Sequence, residues 1–267
     1  MSAAPVLRRI ALLVEYDGAA FAGSQSQPRL RTVQDILEAA LQAFIGEQQR
    51  MKFAGRTDSG VHARGQVVTL DTATAHSPLR VREALNHFLP PDVAVRAVCA
   101  VSPDFDVRRD AQSRRYVYRM QDGRSRSPLN QYAWQIDDPL DEASMAQAAA
   151  LLPLTPCDWS AFAGPLETGR SPVRTLQSSA VRRCGAHRLA LTLEGESFLP
   201  HQVRRIAGAL RDVGLGRLTP DEFARLRSGP PSSAGPSAPP QGLTLEAVSY
   251  AQGMVDWHDN DEDIPAA

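Results

Sequence analysis

Two features that would narrow the function are scarce or absent in this sequence. Cysteine occurs three times, at Cys99, Cys157 and Cys184, with no CxxC pair and no Cys/His ligand spacing. Neither a disulfide framework nor a structural zinc site is expected, and the cysteines are interpreted as small buried residues in a reducing compartment. Since no apolar run approaches the ~18 residues of a membrane span, the sequence predicts a cytoplasmic protein without a membrane partner.

Lysine is nearly missing as well. Lys52 is the single lysine among 29 basic residues, so almost every cation is an arginine, the side chain suited to bidentate phosphate contacts. The net charge is −1, but the residues after Val255 carry five acids and no Lys or Arg, which leaves −1 + 5 = +4 for the remainder. A near-neutral total therefore does not exclude a nucleic-acid partner, although the arginine bias alone is weak support for one.

The remaining composition is that of a globular protein, since 43% of the 267 residues are hydrophobic and can form a buried core. Predicted strands and helices alternate, and several strand pairs are joined by short turns, which predicts an α+β fold with mostly antiparallel pairing. We divide the chain into an N-terminal half (1–103), a C-terminal half (104–253) and an acidic, disordered tail (254–267). The Pro/Gly/Ser-rich segment 228–242 is predicted to be a flexible loop.

The segment GRTDSG, residues 55–60, is the first candidate for chemistry. Its flanking glycines allow a tight turn, and Arg56 favours the ionised form of Asp58 two residues later. Such a carboxylate can serve as a nucleophile or base, although most charged turns hold only a surface ion pair. His62 makes an Asp/His metal pair conceivable; with no third ligand nearby, a structural histidine is favoured and no metal is expected.

Two further stretches each allow a structural and a functional interpretation. In SRRYVYRM, Tyr116 and Tyr118 share one strand face, which is typical of core tyrosines but also fits a ring on which a base stacks. In the predicted helix HQVRRIAGALRDVG, His201, Arg204 and Arg205 lie off the apolar stripe. They form either a solvated basic face or a phosphate site at a helix N-terminus.

Six stretches, in order along most of the chain, resemble the TruA-type tRNA pseudouridine synthases. They are YDGAAFAGSQSQ, GRTDSGVHA, RRYVYR, DWSAFAG, SFLPHQVRRIAGAL and GLTLEAVSY, and GRTDSGVHA, which resembles the catalytic motif, is very specific. The resemblance implies a pseudouridine synthase fold of the α+β class. It has two similar halves, a mainly antiparallel mixed sheet flanked by helices, and a central cleft. It also implies a cytoplasmic homodimer that acts on tRNA and uses neither cofactor nor metal.

The reaction implied by the resemblance is the isomerisation of uridine to pseudouridine in the anticodon stem-loop, at tRNA positions 38–40. The glycosidic bond breaks, the uracil rotates and its C5 joins the sugar, so nothing is oxidised and no group is lost. By resemblance, Asp58 is the essential carboxylate and Arg56 orients it. The substrate-binding residues implied are Tyr116, which stacks on the uracil, and Arg204, His201 and Arg205.

Two positions depart from the family pattern and leave an alternative open. Ser24 stands where the family usually has Trp, which puts the packing of its loop and a tRNA contact in question, and Gln202 replaces a common Met, a change expected to be tolerated. Ser24 is the one hint of a catalytically inactive tRNA-binding or folding module. A second alternative, a metal-dependent hydrolase built on Asp58 and His62, predicts inhibition by chelators.

Overall fold

The computed structural model describes residues 7–46, 48–125, 127–128 and 131–257. They fall into two compact units, one within 1–112 and 245–267 and one within 113–244. The final strand therefore returns to the first unit, while the halves 1–103 and 104–253 stay a prediction of domain organisation. Of the acidic tail, only 254–257 belongs to the described residues. None of the helices in this part of the chain combines the length and apolar character needed to cross a membrane.

The first unit contains one sheet and two α-helices. Its strands are β1 (Arg8–Tyr16), β2 (Lys52–Phe53), β3 (His62–Thr72), β4 (Val93–Val101) and residues 245–249 of β11 (Leu243–Ser249). Their order is β4-β1-β3-β11, with β2 also paired to β3. Strand β1 is antiparallel to both neighbours, and Leu12 lies opposite Val68 and Val98. This central position explains why residues 10–14 are all buried and form an unbroken apolar run.

Both helices of the first unit begin at a capping residue, and α1 also ends at a glycine. Helix α1 (Val33–Ile45) starts at Thr32, whose side chain accepts the N–H of Asp35, and ends at Gly46 with φ 73°. Helix α2 (Pro78–Phe88) has Ser77 as its N-cap. Helix α2 packs on β4 and on α1.

The second unit is built around the antiparallel strands β5 (Ser113–Asp122), β9 (Leu176–Gly185) and β10 (Arg188–Gly195), with β10 in the middle. The short strand β6 (Trp134–Ile136) runs parallel to β5, and β7 (Cys157–Asp158) pairs with β8 (Val173–Arg174). Its helices are α3 (Glu142–Ala150), α4 (Gln202–Gly214) and α5 (Pro220–Leu226). Mixed but mainly antiparallel pairing flanked by helices confirms the predicted α+β class.

The segment 228–242, predicted as a flexible loop, packs closely against its neighbours, and we term it the packed loop. The N–H groups of Ser232 and Ala234 donate to carbonyls of Ser160 and Ala161 at 2.9 and 3.1 Å, and the side chain of Ala234 is buried. A Cβ added at Gly208 of α4 would lie 2.8 Å from a loop carbonyl. Small side chains thus let the loop lie flat on its neighbours, so its composition reflects close packing rather than mobility.

The cysteines follow their prediction only in part. All three are free thiols; Cys99 is buried, and that burial raises the pKa of its thiol to about 11. Cys157 is partly exposed and Cys184 is exposed, so the interpretation of all three as buried residues is wrong for these two.

Candidate active site

The glycine-flanked turn of residues 55–60 joins β2 to β3 and is held first at Gly55. The side-chain amide of Gln66, on β3, donates to the carbonyl of Gly55 at 2.8 Å and faces the N–H of the same residue at 3.4 Å. Gln66 is fully buried, so this two-point contact stabilises the entrance of the turn in a water-poor environment.

The centre of the turn is held at Thr57, which is buried. Its N–H donates to the hydroxyl of Ser24 at 2.9 Å, while the N–H of Ser24 donates to the carbonyl of Thr57 at 3.1 Å. The hydroxyls of Thr57 and Tyr16 share a hydrogen bond of 2.8 Å, and Gln66 donates to the Tyr16 hydroxyl at 3.5 Å. Burial raises the pKa of Tyr16 to about 12, so this hydroxyl stays protonated at neutral pH. We call Tyr16, Ser24, Thr57 and Gln66 the bracing network.

Two glycines allow the loop after β1 to approach the turn closely. Gly23 has φ +102°, and a Cβ there would lie 2.8 Å from the carbonyl oxygen of Thr57. A Cβ at Gly18 would lie only 1.9 Å from the carbonyl oxygen of Val61, a distance that no side chain tolerates. The end of the turn is held by the N–H of Gly60, which donates to the carbonyl of Phe21 at 3.2 Å.

Held in this way, the turn presents Arg56 and Asp58 on the other side of the chain from Thr57. Thr57 is 7% exposed, whereas Arg56 is exposed and Asp58 is half-buried. The backbone of Asp58 is fixed as well, because its carbonyl accepts the N–H of Val61 at 3.2 Å. The two residues predicted to be catalytic thus lie together on one rigid turn, with their side chains accessible.

His62 has a structural position at the start of β3. Its ring is buried, and Nδ1 accepts the N–H of Gly18 at 3.0 Å, which ties the loop after β1 to the end of the turn. Over the described ranges, no group of three His, Cys, Asp or Glu residues is arranged to hold a metal ion. The interpretation of His62 as a structural residue is therefore the one that its contacts favour.

The other predicted site residues belong to the second unit. Tyr116 and Tyr118 lie on one buried face of β5, as the alternation predicts. The ring of Tyr116, 8% exposed, packs edge-on against Phe198 with the centroids 5.2 Å apart. Tyr118 instead donates its hydroxyl to the carbonyl of Pro239 in the packed loop at 2.8 Å, which marks it as a core residue.

The N-terminus of α4 gathers His201, Arg204 and Arg205 against the packed loop. His201 adopts the left-handed conformation, with φ 61°, and its Nδ1 lies 3.2 Å from the hydroxyl of Ser237. Arg204 donates from Nε to the carbonyl of Ala238 at 2.7 Å, and Arg205 donates to two loop carbonyls. The arginines are partly exposed and are braced by backbone oxygens of the loop, so both interpretations stay open.

The sequence did not predict the bracing network; of its four residues, only Ser24 was noted, as a departure from the family pattern. A weak signal for Gln66 existed, because an amide inside the β-branched run of β3 must find partners when the strand is buried. Its partners could not be identified, since Tyr16 lies 50 residues away and Ser24 lies 33 residues from Thr57.

The chain is similar to proteins of one known family over most of its length. A family model described as tRNA pseudouridine synthase matches residues 12–110 and 157–251, which include the turn, the strands β9 and β10, and α4. Proteins called tRNA pseudouridine synthase A are 41% identical in Myxococcus xanthus (92% of this chain, 93% of that protein) and 44% identical in Methylobacterium nodulans (92% and 98%). One from Chloroflexus aurantiacus is 42% identical over 94% of this chain and 92% of its own length. The chain therefore belongs to the tRNA pseudouridine synthase family, a family of isomerases.

Proposed function

We propose that this protein converts uridine to pseudouridine in the anticodon stem-loop of tRNA, with Asp58 as the reacting carboxylate. The observation that carries the proposal is the braced turn, which fixes the backbone on both sides of Asp58 and leaves its side chain accessible. A reacting group held on such a turn keeps its geometry through the reaction, and pre-organisation of this kind is a major source of rate enhancement.

The chemistry requires one carboxylate and a protected site. The bond between N1 of uracil and C1′ of the ribose breaks, the ring turns, and a C5–C1′ bond forms; C5 then loses its proton and N1 gains one. Atoms balance without a co-reactant, so the residues needed are a group that reacts with the sugar or base and groups that hold the detached uracil. Asp58 is proposed for the first role, and Arg56 for orienting Asp58 and holding the anionic strand beside it.

Residues of the second unit are proposed to bind the flipped nucleotide. A stacked uridine is out of reach, so it must leave the stack at a cost of a few kcal/mol, which contacts to the base and phosphates offset. Tyr116, held edge-on by Phe198, is proposed to stack on the uracil. Arg204 is proposed to pair with a carboxylate or phosphate, and His201 and Arg205 to contact phosphates through donors that the packed loop leaves available.

A cytoplasmic homodimer is part of the same proposal. A chain with net charge −1 gains a continuous basic surface if two copies place their cationic faces side by side, and this arrangement leaves the acidic tails elsewhere. Sedimentation velocity with and without tRNA tests it: two chains per complex are expected, and a monomeric complex with full turnover would contradict the dimer.

Tritium release from tRNA carrying C5-tritiated uridine tests the reaction directly. The parent protein is expected to release tritium, and Asp58→Asn is expected to lose at least about 10³-fold in rate while keeping the parent's melting temperature and tRNA affinity. Asp104→Asn, an exposed acid of the same unit, is the matched control and should match the parent. Residual turnover near the parent rate in Asp58→Asn would contradict the assignment, and no release by a parent that binds tRNA would favour the inactive binding module.

The position of the product tests the substrate assignment. Carbodiimide adducts of pseudouridine stop reverse transcriptase, so treated tRNA is expected to give new stops in the anticodon stem-loop alone. New stops confined to another arm of the tRNA would contradict the proposed specificity and leave the reaction itself intact.

A further inference from the structure

A pocket of about 370 Å³ lies beside the braced turn, entirely within the first unit. This volume is within the range of pockets that bind small ligands. Met51 and Val107, both buried, contribute apolar surface to its lining, and Ser24 of the bracing network also lines it. Its cationic side chains are Arg50, Lys52, Arg56 and Arg108.

The charge of this pocket is strongly positive. Asp106 is its one carboxylate, and its Oδ1 accepts the N–H groups of Arg109 and Arg108 at 2.8 and 3.0 Å. These hydrogen bonds, that from Arg109 above all, hold the pKa of Asp106 below its ordinary value, and Lys52 contributes to the same shift, so this carboxylate offsets part of the positive charge of the pocket. Arg50 pairs with Glu38 at 3.2 Å, but Lys52 and Arg56 form no ion pair with any residue that the structure describes.

We propose that this pocket binds a phosphodiester of the RNA strand next to the target uridine, an inference that rests on the proposed function. Arg56 lines the pocket and lies two residues before Asp58, so a strand that brings a sugar to Asp58 runs past these cations. Lys52 and Arg56 are both exposed, so a phosphate of a bound strand can reach them from solvent. Phosphate contacts position a strand and carry no sequence information, so the pocket sets the register of the RNA.

Because Lys52 is the single lysine of the chain, chemical modification of lysine reports on this pocket. An amine-reactive acetylating reagent modifies one side chain, Lys52, which mass spectrometry of its peptide separates from the N-terminal amine. Saturating tRNA is expected to lower the labelling rate of Lys52 by roughly tenfold. Labelling that proceeds at the same rate with and without tRNA would overturn the proposal.

Salt-dependent binding measures the contact itself. Lys52→Gln is expected to weaken tRNA binding roughly fivefold at low salt and to reduce the slope of log K against log [salt] by about 0.7–0.9, the value for one phosphate. Arg80→Gln on α2 is the matched control, since Arg80 is 62% exposed and has only a 3.7 Å pair with Glu83; it should leave affinity and slope unchanged. A parent-like slope in Lys52→Gln would overturn the proposal.

A double-mutant cycle locates the phosphate. Stem-loop RNAs with one neutral methylphosphonate linkage, placed in turn around the target uridine, are bound to the parent and to Lys52→Gln. At the linkage adjacent to the uridine, the neutral substitution is expected to weaken RNA binding by the parent and to have no further effect on RNA binding by Lys52→Gln. Additive effects at every linkage would overturn the inference. Tritium release by the parent is measured in parallel, so failure of the pocket and failure of the proposed reaction give different results.

Discussion

Ser24→Ala is the substitution that isolates the bracing network most cleanly. The hydroxyl of Ser24, a residue only 1% exposed, accepts the N–H of Thr57 at 2.9 Å, directly before Asp58 in the sequence. Removing it leaves that buried N–H without its acceptor, which costs about 1–3 kcal/mol. The reciprocal bond to the carbonyl of Thr57 at 3.1 Å uses the backbone of residue 24 and survives, so the turn is loosened and not released.

The expected result is a loss in the chemical step. A displacement of about 1 Å at a reacting group can cost on the order of 10²-fold in rate, so kcat for tritium release should fall roughly 10- to 100-fold with an unchanged Kd for tRNA. Ser26→Ala is the matched control, because the hydrogen bond of Ser26 to Gln34 uses its backbone N–H. It should match the parent in both stability and kcat.

Ser24→Trp is a second test of whether the hydroxyl of Ser24 positions Asp58. The resemblance leads to an expectation of tryptophan here, but an indole cannot accept the N–H of Thr57 as the Ser24 hydroxyl does, and it must displace residues 55–60 or turn into the pocket that Ser24 lines. Overpacking of this kind typically costs about 1–3 kcal/mol, and we expect kcat below that of Ser24→Ala. Full activity in Ser24→Trp, or in Ser24→Ala, would refute the view that this hydroxyl positions Asp58.

Two further predictions concern the same turn. Gly18→Ala is expected to lower the free energy of unfolding by at least about 2 kcal/mol and to remove most of the turnover, because the added Cβ meets the carbonyl of Val61. Gly46→Ala is its control: Gly46 is left-handed but lies in open space, so the substitution should cost about 1 kcal/mol and leave the turnover unchanged. Tyr16→Phe should change how the free energy of unfolding depends on alkaline pH. Burial raises the pKa of Tyr16 to about 12, so the contribution of its protonated hydroxyl to stability is complete below pH 10 and is lost between pH 10 and 12. Denaturant unfolding from pH 9 to 11.5 should therefore show a steeper decline for the parent, by up to about 2.7 kcal/mol over the full window, and parallel declines would refute the assignment.

The parts of this molecule that sequence predicts well are those determined by neighbouring residues. Helix α1, from its cap at Thr32 to the left-handed Gly46, depends on contacts within four residues, and the two glycines of residues 55–60 predict a turn there. The bracing network joins positions up to 50 residues apart, and no local pattern reports such pairs. The packed loop was missed for a different reason: a composition rich in Pro, Gly and Ser is typical of mobile segments, but hydrogen bonds to distant carbonyls decide whether such a segment is ordered.

The strand β11 has a consequence for how the protein is made. Its residues 245–249 complete the sheet of the first unit, and Tyr250 donates its hydroxyl to the carbonyl of Val107 at 2.7 Å. During translation the turn of residues 55–60 leaves the ribosome almost 200 residues before this strand, so until then the edge of β3 opposite β1 has only the two residues of β2 to pair with. A nascent chain stalled before residue 243 should therefore hold a first unit whose sheet lacks its last strand. Such a chain is open to strand pairing with other chains.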